Sequence, residues 1–212
     1  MMTSNEIKPP ALPGFASINR YWDRENQIIA AKLLPGEYYV TNEDEMITTV
    51  LGSCIAACIR DCVSGIGGMN HFMLPETSTD RSNNAAHSLL GSATRYGNYA
   101  MEHLINTILA SGGKRKNLEI KVFGGGKIIP SLSDIGLRNI GFVLDYIDTE
   151  ALNLKAQDLG DIYPRKVNFY PKTGKVRMKK IKNLHNDTIA LRENRYRSEI
   201  KNAAVEGEIE LF

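Results

Sequence analysis

The sequence predicts a single-domain α/β protein of the α+β kind, with mixed sheets packed in layers and helices on one side. Strand-like segments crowd both ends of the chain, with helical periodicity between them. At 212 residues and 42% hydrophobic content the chain can bury one substantial core, since domains commonly divide only above about 250 residues. No internal repeat interrupts that picture.

Residues 1–28 read as a flexible N-terminal extension, because Pro9, Pro10 and Pro13 break any regular element and few apolar positions fall in register. The folded domain is expected to span 29–185. Its first segment, IIAAKLLPGEYYVTNEDEMITTVLGSC, suggests two strands flanking the polar run TNEDE, the second leading through Thr48 toward Cys54. The apolar runs IAACI and IGGMNHFML flank a turn-like Asp61-Cys62-Val63-Ser64-Gly65 and read as an antiparallel hairpin. TSTDRSNNAAHS, rich in Ser, Thr and Asn, reads as a mobile loop. From Ala93 to Ser111, Tyr96, Ala100, Met101, Leu104, Ile105, Ile108 and Leu109 recur at helical spacing, with Gly112-Gly113 as the stop. LEIKVFGG predicts a strand running into Gly124-Gly125-Gly126, Ser131 to Ile140 a helix, and FVLDYID a further strand. KVNFYPKTGKVRMKKI predicts a hairpin around Pro171-Lys172-Thr173-Gly174. Residues 186–212 are charged, with weak helical periodicity in IALRENRYRSEI, and read as a tail or peripheral helix.

The formal net charge of +2, from 26 basic and 24 acidic residues, creates no bulk field that would draw the chain to nucleic acid or an anionic membrane. The local cluster RKVNFYPKTGKVRMKKIK reads as solvated basic faces of a hairpin. No signal peptide is apparent and no apolar run approaches the roughly 18 residues of a membrane span, so a cytoplasmic protein without membrane insertion is expected. In that reducing compartment the three cysteines are expected as free thiols.

One segment carries chemistry. Thr48-Thr49-Val50-Leu51-Gly52-Ser53-Cys54 is followed seventeen positions after the cysteine by His71 in GGMNHFMLP. In the register that sets Cys54 directly opposite His71, a thiol and an imidazole share one face of the hairpin, and a slip of one residue separates them. A free thiol is only slightly ionised at neutral pH, so Cys54 needs a neighbour that activates it, and His71 is the candidate. A hydroxyl, from Thr48 or Thr49, would orient the imidazole. The backbone N–H groups of Ser53 and Cys54, following Gly52 in a tight loop, are candidate oxyanion donors. Cys58 and Cys62 read as structural or incidental, and His87, His103 and His185 as non-catalytic. Cys54, Cys58 and Cys62 lack the distant second pair of a thiolate zinc site, so no metal is expected. Gly124 to Gly126 with Lys127 lacks nucleotide-loop spacing and reads as a tight turn or close backbone approach.

These residues resemble the chemoreceptor glutamine deamidase family, CheD, whose hallmark is a Thr, a GSC loop and a His at the spacings of Thr48, Cys54 and His71. The likeness extends over roughly residues 30 to 183. RYGNYAMEHLI at 95–105, KVFGGGKII at 121–129, IGLRNIGFVL at 135–144 and PRKVNFYPKTGKVRMKKI at 164–181 resemble family blocks in the same order. GDIYPRKV at 160–167 departs from the Gly-rich form of its block. The resemblance implies a three-layer α/β/β sandwich and a Cys54, His71, Thr48 site, with Thr48 chosen over Thr49 because the family threonine stands six positions before the cysteine. It implies hydrolytic deamidation of glutamines on methyl-accepting chemotaxis receptors through a glutamyl thioester, the activity of a protein-glutamine glutaminase, with no cofactor. A CheC-type phosphatase is the implied further partner. The alternative is a non-catalytic chemotaxis regulator that binds receptors or that phosphatase.

Overall fold

Hydrophobic alternation lays down two five-stranded sheets. The computed structural model describes residues 8–75, 83–128, 133–182 and 187–202. The first sheet runs β1 (Asn19–Asp23), β2 (Ile28–Lys32), β4 (Met46–Leu51), β9 (Arg165–Tyr170) and β10 (Lys175–Lys180). The second runs β3 (Tyr38–Thr41), β6 (Gly67–Asn70), β5 (Ile55–Asp61), β7 (Leu118–Gly124) and β8 (Asn153–Leu159). Each is mixed: β2 and β4 are parallel in one, β7 and β8 in the other, and the remaining neighbours are antiparallel. Three α-helices lie among the described residues: α1 (Asn83–Ala110), α2 (Ser133–Thr149) and α3 (Asp187–Asn202).

The layers follow from which faces are apolar. In β5 every residue except Arg60 is buried, because helices α1 and α2 cover one face of its sheet and the first sheet covers the other. A strand buried on both faces reads as an unbroken apolar run, which is why IAACI shows no alternation. In β10 burial alternates, as befits an outer strand with one wet face. One core joins the layers: Ile47, Leu51, Val167 and Phe169 from the first sheet, Ile55, Ala57, Ile59 and Val122 from the second, and Met101, Leu104, Ile108 and Val143 from the helices. The single-domain, mixed-sheet α/β/β architecture expected from the sequence is the one present.

Several elements differ from expectation. Residues 1–28, expected as a flexible extension, include β1 in the sheet, and Phe15 is buried against the rings of Tyr38 and Tyr39 at 5.1 and 5.2 Å. Arg20 of β1 binds the buried carboxylate of Glu45, which also accepts the Tyr39 hydroxyl at 2.6 Å. The FVLDYID segment is the second half of α2, not a strand: Ile135, Asn139, Val143, Tyr146 and Ile147 recur at helical spacing and all are buried. Strand β8 follows it instead. Helix α1 begins at Asn83, inside the stretch expected as a polar loop, while 76–82 lie outside the described residues. The β9–β10 hairpin pairs as expected, with Phe169 opposite Val176.

The β5–β6 turn also forms where the sequence marks it. Gly65 takes a φ of +76° and donates to the Asp61 carbonyl at 2.9 Å. The Asp61 side chain accepts from the backbone N–H groups of Val63, Ser64 and Lys114 at 2.8, 3.0 and 2.8 Å, and from the Asn117 amide. Burial alone would raise its pKa, but these donors outweigh it and hold the carboxyl down to about 2.

Removing that acceptor orphans three backbone donors at once, so Asp61→Ala should lower unfolding free energy by about 2 kcal/mol in urea titrations. The unfolded carboxyl titrates near ~3.9, above the folded value, so between the two the unfolded chain binds more protons. The stability difference between wild type and Asp61→Asn is therefore expected to be constant above about pH 5 and to shrink as pH falls toward 2.

Candidate active site

Strand β4 ends at Leu51 in one sheet and β5 begins at Ile55 in the other, so Gly52-Ser53-Cys54 must cross between layers. All three carbonyls of the crossing are tied on one side. Gly126 N–H donates to Gly52 O at 2.7 Å, the Asn139 amide to Ser53 O at 2.8 Å, and Gly125 N–H to Cys54 O at 2.8 Å. The glycine turn after β7 is required by this approach: at Gly124, with φ +123°, a Cβ would lie 2.0 Å from the Cys54 carbonyl oxygen. The expected close backbone approach at Gly124 to Gly126 is thus present.

Arg165 holds the turn from beneath. The sequence places it among solvated basic residues, yet it is fully buried at the inner edge of β9, with Nη1 donating to Gly124 O and Asp158 O at 2.7 Å each and Nη2 to Gly160 O. Burial lowers its pKa and the carboxylate of Asp158, at 3.3 Å, pulls the other way. A planar fork reaches the three carbonyls from two separate nitrogens, a spread that the single ammonium of lysine lacks.

With the carbonyls bound behind, the N–H groups of the crossing converge in front. They meet the carboxylate of Glu193, carried by α3: Gly52 N–H and Cys54 N–H donate to Oε1 at 2.8 and 3.2 Å, and Ser53 N–H and Oγ–H to Oε2 at 2.9 and 2.6 Å. Gly52 leaves the space for it, since a Cβ there would stand 2.2 Å from Ile128 Cδ1 and 2.8 Å from Glu193 Oε2.

Cys54 and His71 do come together, in a register different from the expected one. Strands β5 and β6 pair Cys58 with Met69 and Ile59 with Gly68, and beyond them Ile55 pairs with Phe72. That is a slip of two residues, which preserves the face, so Cys54 and His71 are diagonal neighbours. The Cys54 sulfur, a His71 ring nitrogen and a Glu193 carboxylate oxygen lie within 4.8 Å of one another.

The hydroxyl at the imidazole belongs to Thr49, not Thr48. Thr49 Oγ1 lies 2.8 Å from His71 Nδ1 and donates to Leu33 O at 2.9 Å. Its one proton is spent on that carbonyl, so it accepts from Nδ1–H and leaves Nε2 with the lone pair. Nε2 is buried without a hydrogen-bond partner among the described residues. Thr48 points to the opposite face of β4, where it donates to Asn168 at 2.7 Å. The reason is strand parity: Thr49 shares the inner face with Ile47 and Leu51, opposite Val167 of β9, whereas Thr48 pairs with Asn168.

Burial disfavours the charged form of both the thiol and the imidazole. Burial raises the Cys54 thiol well above its usual value, and the charge of Glu193 and its hydrogen bond raise it further. Burial pushes His71 down to about 3, with Arg192 adding to the effect and the Leu33 carbonyl opposing it. Burial thus works against a charged thiolate–imidazolium pair in this arrangement. Cys58 is buried and Cys62 exposed, and among the described residues the cysteines are free thiols. His103 is on the surface of α1, bonded to the Tyr38 hydroxyl at 2.9 Å. His185 and the side chain of His87 lie outside the described residues.

The Cys54, His71 and Glu193 donors are of types that bind metals, but a cation among them would face the positive ends of three N–H dipoles, which suit an anion. Glu193, Asn139 and Arg165 are the site-building groups that sequence reasoning does not single out. For Glu193 the available signal is a stripe, Ile189, Glu193, Tyr196 and Ile200, on one face of a charged helix.

Residues 73–180 match the family model described as CheD chemotactic sensory transduction, which begins just after the cysteine and histidine. Whole-chain relatives include the segment before it. A "Probable chemoreceptor glutamine deamidase CheD" of Halorhodospira halophila is 53% identical over 204 residues, covering 96% of this chain and 94% of its own. Similarly named proteins of Hahella chejuensis and Hydrogenovibrio crunogenus are 49% identical over 204 residues and 52% over 190, covering 96% and 90% of this chain and 95% and 97% of their own. Among the described residues no helix is long and apolar enough to cross a membrane. By sequence similarity along nearly its whole length, the chain belongs to the CheD family.

Proposed function

We propose that the protein is a cysteine amidohydrolase that converts selected glutamine side chains on chemotaxis receptors to glutamates, acting in the cytoplasm without a cofactor. One observation carries the reading: the N–H groups of Gly52, Ser53 and Cys54 grip a glutamate carboxylate beside a thiol and an imidazole, which is how the acid product of glutamine hydrolysis would sit. The names of the relatives point to the same substrate class.

The chemistry starts from a neutral pair, the charge state that burial favours. His71 Nε2 takes the thiol proton as Cys54 Sγ attacks the amide carbon, so ionisation accompanies attack instead of preceding it. The oxygen that becomes negative accepts from the Gly52 and Cys54 amides. His71 returns the proton to the departing nitrogen, the C–N bond breaks, and ammonia leaves behind a glutamyl thioester. Water, deprotonated by the same Nε2, then attacks that carbon, and the C–S bond breaks to release glutamate and the thiol. Thr49 keeps Nδ1–H engaged throughout and so fixes the tautomer.

Burial of the thiol under α3 favours keeping a second reading in view: a non-catalytic regulator that binds receptors or a CheC-type phosphatase. Incubating a receptor cytoplasmic fragment with wild type and with Cys54→Ala separates them. A gain of about 1 Da per converted glutamine, with ammonia release, is expected only with the intact thiol; no conversion by either protein would favour the regulator. His71→Ala should lower kcat by about 10² to 10⁴. Thr49→Val should lower it about tenfold or more, while Thr48→Val should stay near wild type, and equal effects of the two would remove Thr49 from the positioning role.

A further inference from the structure

Helix α3 turns one face toward the crossing loop. Ile189 and Glu193 are buried on that face, the Tyr196 hydroxyl bonds to that of Tyr96, and the Tyr196 ring lies over Gly36, where a Cβ would come within 2.7 Å of it. Between these apolar and aromatic contacts, Glu193 reaches the thiol with a side chain one oxygen-for-nitrogen exchange away from glutamine. Its Oε1 accepts from the Gly52 and Cys54 amides, the place a substrate carbonyl oxygen would take, and Oε2, which accepts from Ser53 N–H and Oγ–H, stands where the water-derived oxygen of the product would stand. All four donors to the carboxylate are neutral, so the contact is that of a ligand in a cradle and not of an ion pair. The site thus holds a helix-borne acid side chain in the position of a reaction product.

We propose that α3 is a product-mimicking inhibitor built into the chain: it lies in the groove that accepts a glutamine-bearing helix of the substrate, with Glu193 standing where the newly formed glutamate would stand. The idea rests on the deamidase reading. Substrate enters only when α3 leaves, so the two compete for one groove. The Glu193 carboxylate also suppresses ionisation of Cys54, and its withdrawal frees the thiol to react.

A glutamine at position 193 is carried by the same helix to the same thiol. In the full chain carrying Glu193→Gln, Cys54 should attack the carbon of the introduced side-chain amide, His71 should protonate the departing nitrogen, and water should hydrolyse the thioester, restoring glutamate with loss of ammonia. Mass spectrometry of the peptide containing position 193 is expected to show a gain of about 1 Da, absent when Cys54→Ala is added. A receptor fragment treated with the same protein is the control. Conversion of the receptor while the introduced amide stays intact overturns the proposal and leaves the deamidase reading standing; failure of both substrates takes down the two together.

A second readout does not depend on self-conversion. Glu193→Ala should lower the KM for the receptor fragment about tenfold with little change in kcat, as expected when the competent state ceases to be a minor one. Iodoacetamide should label Cys62 first in wild type and reach Cys54 readily only in Glu193→Ala. An unchanged KM together with an unchanged Cys54 labelling rate overturns the proposal.

Discussion

Everything at the site depends on how three peptide units cross between the sheets. Within a peptide unit the carbonyl and the N–H point in opposite senses, so holding the Gly52 and Ser53 carbonyls on one side turns the Ser53 and Cys54 N–H groups to the other. Gly125, Gly126 and Asn139 do the holding, and Arg165 in turn fixes the glycine turn through Gly124 and Gly160. A buried guanidinium is costly on its own, but here both terminal nitrogens meet carbonyls and the Asp158 carboxylate lies at 3.3 Å, while Nε has no hydrogen-bond partner among the described residues. The amide cradle is thus made by the fold before any ligand arrives, the kind of preorganisation that stabilises developing negative charge without later rearrangement.

The same crossing explains why the reactive groups come from both layers. Thr49 is held in the first sheet, His71 follows β6 of the second, and Cys54 lies on the chain between them. Asn139 adds a link from the helical layer, accepting from Leu74 N–H at 2.9 Å while donating to Ser53 O. Disturbing the packing of any layer would therefore move at least one member of the site.

What the sequence disclosed depended on the range of the interaction. The β5–β6 hairpin and the thiol–imidazole pair are legible because the turn at Asp61 to Gly65 is local chemistry and the face is fixed by parity, which survives a register slip of two residues. The choice of threonine is not, because Met46 to Leu51 is apolar or hydroxylated at every position and shows no alternation; only its partner β9, with Val167 and Phe169 facing in and Asn168 out, reveals which side is inner. Arg165 is hidden for the converse reason, since its neighbours in the basic hairpin do face water. Glu193 lies 139 residues from Cys54, in a charged helix whose composition suits a surface, and nothing local marks the one carboxylate that turns inward.

The lid of α3 has a chemical consequence for the sulfur beneath it. Oxidation of a cysteine to sulfenic acid and beyond follows its thiolate character and its exposure to peroxide. Cys54 is buried, with its ionisation disfavoured by burial and by Glu193, while Cys62 stands open on the hairpin turn. In this arrangement Cys62 is the thiol open to oxidant and Cys54 is the shielded one.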